Sequence, residues 1–340
     1  MNSLALGLGA TGFVGSLAAW YAWERSHRKT MKMPAGIDLG RSVPHQQEFE
    51  LYQNVLSLCA RKVRICLAEY NIPYKSHHID LIETGSYEVI SRRYLTINPG
   101  GLVPTLVHNG HPVYESDFIV NYIADQAAGS GISLTPADPA KRAEMDIWIA
   151  RASLIGEDAA RDHQISAGQC IPPLTVPLFV ASIRYIPISR ILEGLLFHRL
   201  KERAVFFLIF KLIGMSGVIT VPRFRAIVRS ARDAMVIHLE ALEEQLSKIS
   251  ADWIIGEQFT LADVTWMSLL HRLEETWWLK YFLANHQLQR VNAYWGRLKA
   301  RESYKSQIKA QPHPVIDQGI ADLREAISGI PGWRALYQGS

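Results

Sequence analysis

Hydrophobic positions along the chain change their spacing at about residue 130. Between residues 47 and 128, short apolar runs with strand-like alternation are interleaved with runs of helical spacing, and Asn109-Gly110 is a strong hairpin signal. Beyond Pro139, almost every apolar run has helical spacing. We therefore predict an α/β unit of order β-α-β-α-β-β-α, followed by an all-α unit. The predicted strands cover residues 49–55, 77–81, 103–108 and 112–114, and the predicted helices cover 61–70, 87–95, 116–126, 141–152, 223–249 and 261–273.

The segment before the α/β unit carries no charge over residues 4–23. At 1.5 Å per residue, about twenty apolar residues are enough to cross a hydrocarbon layer of about 30 Å. Basic residues follow this segment and none precedes it, so the positive-inside rule places the rest of the chain in the cytoplasm. Residues 1–33 are thus predicted to form a membrane anchor with a basic flank. The flanking cations are Arg25, Arg28, Lys29 and Lys32.

The glycines of the same segment allow a second interpretation. Gly7, Gly9 and Gly12 match the dinucleotide-binding pattern G-x-G-x-x-G, which would make the protein a dehydrogenase. That fingerprint needs a strand before it, a helix after it and an acidic residue on a second strand. Only residues 4–6 are available for the first strand, and the stretch downstream is basic and polar. We therefore favour the membrane helix.

Changes in composition divide the remaining chain. Residues 34–46 contain two prolines and two glycines and are predicted to be a linker. The α/β unit then covers 47–128, the all-α unit covers 135–311, and residues 312–340 remain as a C-terminal tail.

An insertion over about 171–222 makes the all-α unit unusually apolar. Its first part, 171–191, contains four prolines, which argue against a spanning helix. In its second part, 204–221, the single charge of Lys211 lies near the middle, where a membrane makes a charge costly. For this second part, a buried helix, a helix lying on a membrane and a true span all stay open.

Composition and charge narrow the range of partners. The formal net charge is +4 and the basic residues are scattered, so nucleic acid is not expected as a partner. The three cysteines lack the spacing of zinc ligands or of a disulfide framework, which fits a reducing compartment, and Cys66 and Cys170 are expected in the core. No metal site is predicted, since a charged helix face explains the one candidate cluster. That cluster consists of Glu157, Asp158, Asp162 and His163.

The run Asn98-Pro-Gly-Gly-Leu-Val-Pro104-Thr, followed by the predicted hairpin and by Glu115-Ser116, resembles the glutathione transferase superfamily. In that family the first domain is thioredoxin-like and carries a cis-proline, here Pro104. The resemblance implies that the main chain of Val103 pairs with the cysteinyl part of glutathione. It also implies that Glu115 and Ser116 hold the γ-glutamyl end at a helix start, through an acid, a hydroxyl and free N–H groups. Without the resemblance, Ser116 would be only a helix N-cap.

The run Ser57-Leu-Cys59 lies where this family activates the glutathione thiol, at the amino end of the first helix of the domain. The run and the basic helix after it resemble the hydroquinone reductive dehalogenases. The resemblance implies that Ser57 supports the glutathione thiolate and that Cys59 resolves a glutathionyl-aromatic intermediate by disulfide exchange. A helix N-terminus and nearby cations would both favour a thiolate. Those cations are Arg61, Lys62 and Arg64.

The helical half extends the resemblance. Thr260-Leu-Ala-Asp263 is similar to the family's N-capping box, in which Thr260 caps a helix and Asp263 returns the bond. Other stretches resemble the reductive dehalogenases, the lignin β-etherases and the ganglioside-induced differentiation-associated proteins, so the branch stays open. Trp277-Trp278 is expected in the core, in a pocket wall or on a membrane-facing surface.

The fold class that follows is a thioredoxin-like α/β domain plus an all-α domain, the glutathione transferase fold, preceded by a membrane helix. The leading hypothesis is a membrane-anchored, cytoplasm-facing enzyme that uses glutathione on an apolar, aromatic electrophile by conjugation, reductive dehalogenation or ether cleavage. The alternative is a non-catalytic, membrane-associated interaction or redox-sensing protein, from which Cys59 distinguishes this chain. Glutathione, a hydrophobic small molecule and a membrane are the expected partners. A homodimer stays open because the family is commonly dimeric.

Overall fold

The structure, a computed structural model, describes residues 2–155, 161–248 and 251–338, with side chains from residue 15 onward. A mixed sheet with helices packed on it is followed by a larger helical part. The strands are β1 (Gly36–Ile37), β2 (Phe49–Gln53), β3 (Lys75–His78), β4 (Thr105–His108) and β5 (His111–Tyr114). The first helices are α1 (Asn2–His27), α2 (Leu58–Glu69), α3 (Arg92–Leu95), α4 (Ser116–Gln126), α5 (Pro139–Ala152), α6 (Ala167–Ser182), α7 (Ile188–Phe197) and α8 (Lys201–Val218). The remaining helices are α9 (Pro222–Lys248), α10 (Leu261–Glu275), α11 (Trp278–Asn285), α12 (Gln289–Ala300), α13 (Glu302–Tyr304), α14 (Pro314–Gly329) and α15 (Pro331–Gln338).

The sheet has the strand order β1-β5-β4-β2-β3. The parallel strands β2 and β3 are connected through α2, whereas β4 pairs antiparallel with both β2 and β5. Every residue of β2 is buried, and Leu51, Leu106 and Val113 belong to the main core together with residues of α2 and α4. The α/β unit is thus thioredoxin-like, as predicted.

Strand β1 lies in the segment predicted to be a linker. Gly36 and Ile37 pair antiparallel with Tyr114 and Val113 at the edge of the sheet, so residues 34–46 do not form a free linker. The N–H of Val43 also donates to the carbonyl of Gly110 at 2.8 Å. The spacing of hydrophobic positions did not predict this strand, because two residues are too few to show alternation. Their pairing partners also lie far away along the chain.

The helices of the α/β unit begin and end close to the predicted positions, with two differences. Helix α2 begins at Leu58 rather than at residue 61, because Ser57 supplies the cap. The single helix predicted over 87–95 is divided into a 3-10 turn, Glu88–Ile90, and the short α3. The division falls at Ser91, which has an extended backbone and caps α3 by accepting the N–H of Tyr94.

Helix α1 covers the predicted membrane segment, although only the backbone of residues 2–14 is described. No single helix in the described ranges is both long and apolar enough to cross a membrane, while two bent pairs, α6 with α7 and α8 with α9, reach the required length and composition together. The anchor therefore stays a prediction. Residues 4–6, which the dinucleotide interpretation requires as a strand, belong to the helix α1 instead.

Helix α6 forms the centre of the helical part, where it packs against α9, α10 and α14. It contains Pro172, Pro173 and Pro177, which remove backbone donors and would break an isolated helix. Neighbouring helices nevertheless bury it, and Leu174 and Leu178 are fully excluded from solvent. Residues 171–182 of the apolar insertion therefore belong to a core helix.

Residues 312–340 were predicted to be a tail, but the structure shows two packed helices there, α14 and α15. Trp333 of α15 is fully buried, and its indole N–H donates to the carbonyl of Met215 at 2.9 Å. Tyr337 stacks on Trp278, with ring centroids 3.8 Å apart. Of the Trp277-Trp278 pair, Trp278 is thus a core residue.

Candidate active site

Three loops meet at one end of the sheet. The register places Tyr52 of β2 opposite Thr105 of β4, and Leu106 of β4 opposite Val113 of β5. In antiparallel pairs, the end of one strand lies beside the start of the next, so the residues after β2, before β4 and after β5 are neighbours. These segments carry all the predicted site residues, namely Ser57, Cys59, Val103, Pro104, Glu115 and Ser116.

Ser57 is the N-cap of α2. It has an extended backbone, and its Oγ accepts the N–H of Ala60 at 3.2 Å. A hydroxyl that accepts one hydrogen bond still has its own hydrogen to donate, and no described residue takes it. The half-buried side chain therefore offers a donor beside the first turn of α2.

Cys59 lies in that first turn and is partly exposed. The N–H groups of Leu58 and Cys59 form no hydrogen bond within the described ranges, as is usual at a helix start. Unpaired N–H groups and the helix dipole both stabilise an anion at this position. The geometry is thus compatible with a thiolate held at the amino end of α2.

The basic residues of α2 do not contribute to this anion site in the predicted way. All three are buried and paired elsewhere: Arg61 with Glu275, Lys62 with Asp117, and Arg64 with Gln53. Their position after Ser57 suggested exposed cations, whereas α2 is in fact packed against α4 and α10 and shares a core with the sheet. They therefore stabilise the structure around the site and do not supply positive charge to the thiolate.

Helix α10 holds the loop that precedes Ser57. The guanidinium of Arg272 donates to the carbonyl of Leu56, and the Ser268 hydroxyl donates to the carbonyl of Leu58 at 2.9 Å. Arg61 donates to the carbonyl of Val55 at 3.2 Å. Three hydrogen bonds therefore fix the backbone on both sides of Ser57, and two of them come from the helical domain.

Glu275, at the end of α10, joins the two arginines of this arrangement. Its carboxylate lies 2.8 Å from Arg61 and 3.4 Å from Arg272. Burial alone would raise the pKa of Glu275, but the two guanidinium groups hold it well below its ordinary value. A charged network thus connects the sheet domain to the helical domain directly behind the Ser57 loop.

The loop before β4 contains a cis Val103–Pro104 peptide bond, which is the geometry implied by the resemblance. The carbonyl of Leu102 accepts from the Tyr94 hydroxyl at 2.5 Å and from the Asn98 amide at 2.9 Å. Both side chains also reach Thr105. The main-chain N–H and C=O of Val103 form no hydrogen bond within the described ranges, so they are available to pair with an extended ligand.

The loop after β5 ends at the start of α4. Glu115 is the N-cap, has a positive φ of 67° and is exposed, while Ser116 is buried as the first helical residue. Ser116 is therefore not the N-cap, and its hydroxyl has no partner among the described side chains. The neighbouring Asp117 forms an ion pair with Lys62 of α2 and accepts a hydrogen bond at 3.0 Å from Ser153, the residue after α5.

The other cysteines are core residues, as predicted. Burial raises the pKa of Cys66 and raises that of Cys170 to about 12, so both thiols stay protonated at neutral pH. Of the cluster considered for a metal, Glu157 and Asp158 lie outside the described residues, and His163 is buried. One other group in the described ranges brings potential ligand atoms within 4.8 Å of each other: His78, Asp80 and His313.

Sequence reasoning missed the residues that hold the site. Tyr94 lies in α3, whereas Ser268 and Arg272 lie in α10, and their targets are backbone carbonyls, which leave no mark in a side-chain pattern. The role of Asn98 could have been predicted, because Asn98 begins the Asn98-Pro-Gly-Gly run. Its side chain accepts the N–H of Gly100 at 2.7 Å in an Asx turn.

Comparison with known proteins agrees with this geometry. Residues 56–126, which contain all six predicted site residues, match the family model described as glutathione S-transferase, N-terminal domain. This part of the chain is therefore similar to the N-terminal domain of glutathione S-transferases. The chain's thioredoxin-like sheet and helical C-terminal region form the glutathione transferase fold, which confirms the predicted fold apart from the membrane helix.

Proteins similar to this chain include two dehalogenases. A 2,5-dichlorohydroquinone reductive dechlorinase of Sphingobium indicum is 26% identical, over 85% of this chain and 90% of the relative. A tetrachloro-p-hydroquinone reductive dehalogenase of Sphingobium chlorophenolicum is 24% identical, over 76% of this chain and 95% of the relative. The crystal structure of the β-etherase LigF from Sphingobium sp. strain SYK-6 has a TM-score of 0.61, with 21% identity over 78% of this chain and all of that chain, which shows a shared fold.

Proposed function

We propose that the protein uses glutathione to attack an apolar, aromatic electrophile at the candidate active site. The observation that carries the proposal is that three unengaged groups meet at one end of the sheet: the Ser57 hydroxyl hydrogen, the Val103 main chain and the Ser116 hydroxyl. A thiolate, a cysteinyl peptide unit and a carboxylate are the groups that these sites suit. Glutathione carries all three.

Ser57 would donate its free hydrogen to the glutathione sulfur. A hydrogen bond to the charged form lowers the pKa of a thiol and fixes the direction of its lone pairs for attack. The unpaired N–H groups of Leu58 and Cys59 add a partial positive charge at the same place. Val103 and Ser116 would hold the remainder of glutathione, and Glu115 would meet its ammonium group.

Cys59 gives the site a second sulfur, which suits a reductive reaction on a chlorinated hydroquinone. Glutathione thiolate forms a C–S bond and chloride leaves with the bonding electrons. The Cys59 thiolate then attacks the glutathionyl sulfur, so that an S–S bond forms, the C–S bond breaks and the ring carbon takes a proton. A second glutathione reduces the mixed disulfide and releases glutathione disulfide. The names of the two relatives above favour this substrate class over conjugation alone or ether cleavage.

Turnover of a chlorinated hydroquinone and a β-aryl ether by the wild type, Ser57→Ala and Cys59→Ser tests the proposal. We expect Ser57→Ala to slow every glutathione-dependent reaction. We expect Cys59→Ser to release the glutathionyl-aromatic conjugate instead of the dechlorinated product, which mass spectrometry detects. If the wild type neither binds glutathione nor consumes either compound, the proposal is wrong.

We further propose that α1 anchors the enzyme to a membrane and leaves the catalytic domains in the cytoplasm. The support is the uncharged stretch 4–23, the exposed Trp20 and Trp23, and the basic residues that follow. Tyr21 and Arg28 tie the end of α1 to α7, so removal of residues 1–20 keeps these contacts. Fractionation of the full and shortened chains tests the anchor, and a full chain that is entirely soluble would contradict it.

A further inference from the structure

Helices α7 and α8 turn a row of large apolar side chains outward. On α8, the outward residues lie one, three or four positions apart, which places them on one face of the helix. Leu212, in this row, is 70% exposed. On α7, they recur every four residues. The opposite sides are buried, with Ala204 and Phe207 of α8 and Ile191 of α7 in a core cluster. The outward residues are Ile188, Leu192, Leu196, Val205, Phe206, Ile209, Leu212 and Ile213, which we call the α7–α8 face.

The end of α1 continues this face. Trp20 packs edge-on against Phe197 of α7, with ring centroids 6.1 Å apart, and the Tyr21 hydroxyl donates to the carbonyl of Leu196. Trp20 and Trp23 are themselves about half exposed. Exposed apolar surface of this extent, on three adjacent helices, is uncommon in monomeric soluble proteins and marks an interaction site.

Charged side chains near the α7–α8 face point away from it or lie at its border. Lys211 lies within the apolar run of α8, but its ammonium turns back to the carbonyls of Ile183 and Arg184, at 3.2 and 2.9 Å. At the turn between α7 and α8, Arg199 and Lys201 are exposed and form no ion pair within the described ranges. Arg25 in the last turn of α1 and Lys29 and Lys32 after the helix are also exposed. Apolar side chains bordered by cations complement the acyl and headgroup layers of an anionic bilayer.

The shape of this region favours a surface contact over a span. The paired helices bend by 116° between α6 and α7 and by 80° between α8 and α9, so neither pair continues straight. One side of α8 is packed against the protein. A helix whose inner face is buried in the fold presents only its outer face to lipid and lies along the membrane surface.

We propose that the α7–α8 face docks the body of the protein onto a bilayer that contains anionic phospholipids. This assigns residues 188–213 a membrane contact separate from the α1 anchor. The buried side of this face belongs to the core cluster that includes Phe207 and Ile191, and Val103 of the candidate active site packs against the same cluster. An ion pair of Arg203 with Glu83 fixes α8 to the sheet domain. Docking of this face would bring an apolar electrophile dissolved in the bilayer close to the protein. This extension of the proposal rests on the proposed function.

Hydrogen–deuterium exchange of the full chain, with and without vesicles, tests the docking. We expect vesicles of phosphatidylcholine with phosphatidylserine to slow exchange over residues 188–213. Phe206→Glu combined with Leu212→Glu should abolish this protection. Ile147→Glu combined with Ile237→Glu is the matched control, because both residues are equally exposed apolar positions on other helices, and it should leave the protection unchanged. Replacement of Arg199 and Lys201 by glutamine should weaken docking roughly 30-fold, since each cation near an anionic surface contributes about a fivefold factor.

Unchanged exchange over 188–213 in the presence of vesicles would overturn the proposal. Protection that appears without vesicles and grows with protein concentration would also overturn it, because a second copy of the chain would then cover the face. Neither readout depends on turnover. An inactive protein with a protected face would refute the proposed function alone, and an active protein with an unprotected face would refute the docking alone.

Discussion

Ser57 combines a structural and a chemical task in one side chain. Its oxygen accepts the N–H of Ala60 and so caps α2, which leaves its hydrogen for a ligand. The backbone around it is held by Arg61, Ser268 and Arg272. A substitution at this residue therefore changes both helix stability and the reaction, and the two effects can be separated by a side chain that keeps the hydroxyl.

Ser57→Ala should lower kcat/KM for glutathione about 10- to 100-fold, since a hydrogen bond to a charged group contributes roughly 1.5–3 kcal/mol. It should also lower the free energy of unfolding by about 1 kcal/mol through loss of the cap. Ser57→Thr keeps a hydroxyl and should recover most of both. Steady-state kinetics and urea unfolding of the two variants measure these effects, and equal losses in both variants would contradict the assigned role.

At this scale the sequence predicted which residues carry chemistry but not what holds them. Ser57, Cys59, Glu115 and Ser116 belong to short local motifs, and the structure brings them to one end of the sheet. The partner of Arg61 lies 214 positions away, so its charge was interpreted as exposed. Long-range pairing of buried charges cannot be read from a single segment.

Helix α10 is the element that joins the two domains. Its start is fixed by the predicted capping box of Thr260 and Asp263, which the structure confirms. Asp263 also accepts from Ile254 and from the Tyr294 hydroxyl, which connects the start of the helix to α12. Its end carries Glu275 into the arginine network behind the Ser57 loop. Local sequence determines the start of the helix, whereas only the tertiary fold determines what its end contacts.

Thr260→Ala should lower the free energy of unfolding by about 1–2 kcal/mol, the usual effect of losing a helix N-cap. Chemical unfolding followed by circular dichroism measures it. Thr265→Ala, in the middle of the same helix, removes a hydroxyl that bonds only the carbonyl of Leu261 and should have a smaller effect. The capping role would be contradicted if Thr265→Ala were the more damaging change.

Glu275→Gln should destabilise the protein by about 3–5 kcal/mol at pH 7, because it leaves Arg61 and Arg272 buried without a counter-charge. The pKa of Glu275 is well below the ordinary value of 4.5. Burial alone would raise the pKa of Glu274, but the hydrogen bonds that Glu274 accepts lower it to about 2. Carboxylates with depressed pKa values contribute stability that is fully present above about pH 4.5 and is lost as pH falls below it.

The wild type should therefore lose stability between pH 4.5 and 2, and Glu275→Gln should lose less over the same interval. Thermal unfolding across this range tests the pH dependence. A wild type whose melting temperature stays constant from pH 5 to pH 2.5 would contradict the role assigned to these two carboxylates.

For the molecule as a whole, the helical part is larger than the pattern indicated. The predicted tail closes the fold, since Trp333 is buried beside α8 and Tyr337 stacks on Trp278. Pro314 followed by apolar residues at helical spacing could have predicted α14. The two-residue β1 offered no comparable signal. Its place in the sheet depends on pairing with β5, which is a property of the whole fold.

Trp333→Ala should lower the free energy of unfolding by about 3–5 kcal/mol, as expected when a large side chain is removed from a packed core. A true tail would tolerate the change. Leu39→Ala is the control, because Leu39 is 69% exposed and should cost less than about 0.5 kcal/mol. Urea unfolding of both variants decides between a closing helix and a tail.

Spectroscopic titration of protein-bound glutathione tests whether the site lowers the pKa of the glutathione thiol. Thiolate absorbance, measured against pH with and without glutathione, reports the pKa of the bound thiol, which for a free cysteine thiol is about 8.5. In the wild type, we predict that binding lowers this pKa by at least about one unit, and that Ser57→Ala raises it again while glutathione still binds. A bound thiol that titrates as in solution in the wild type, or a wild type that binds no glutathione, would contradict the account.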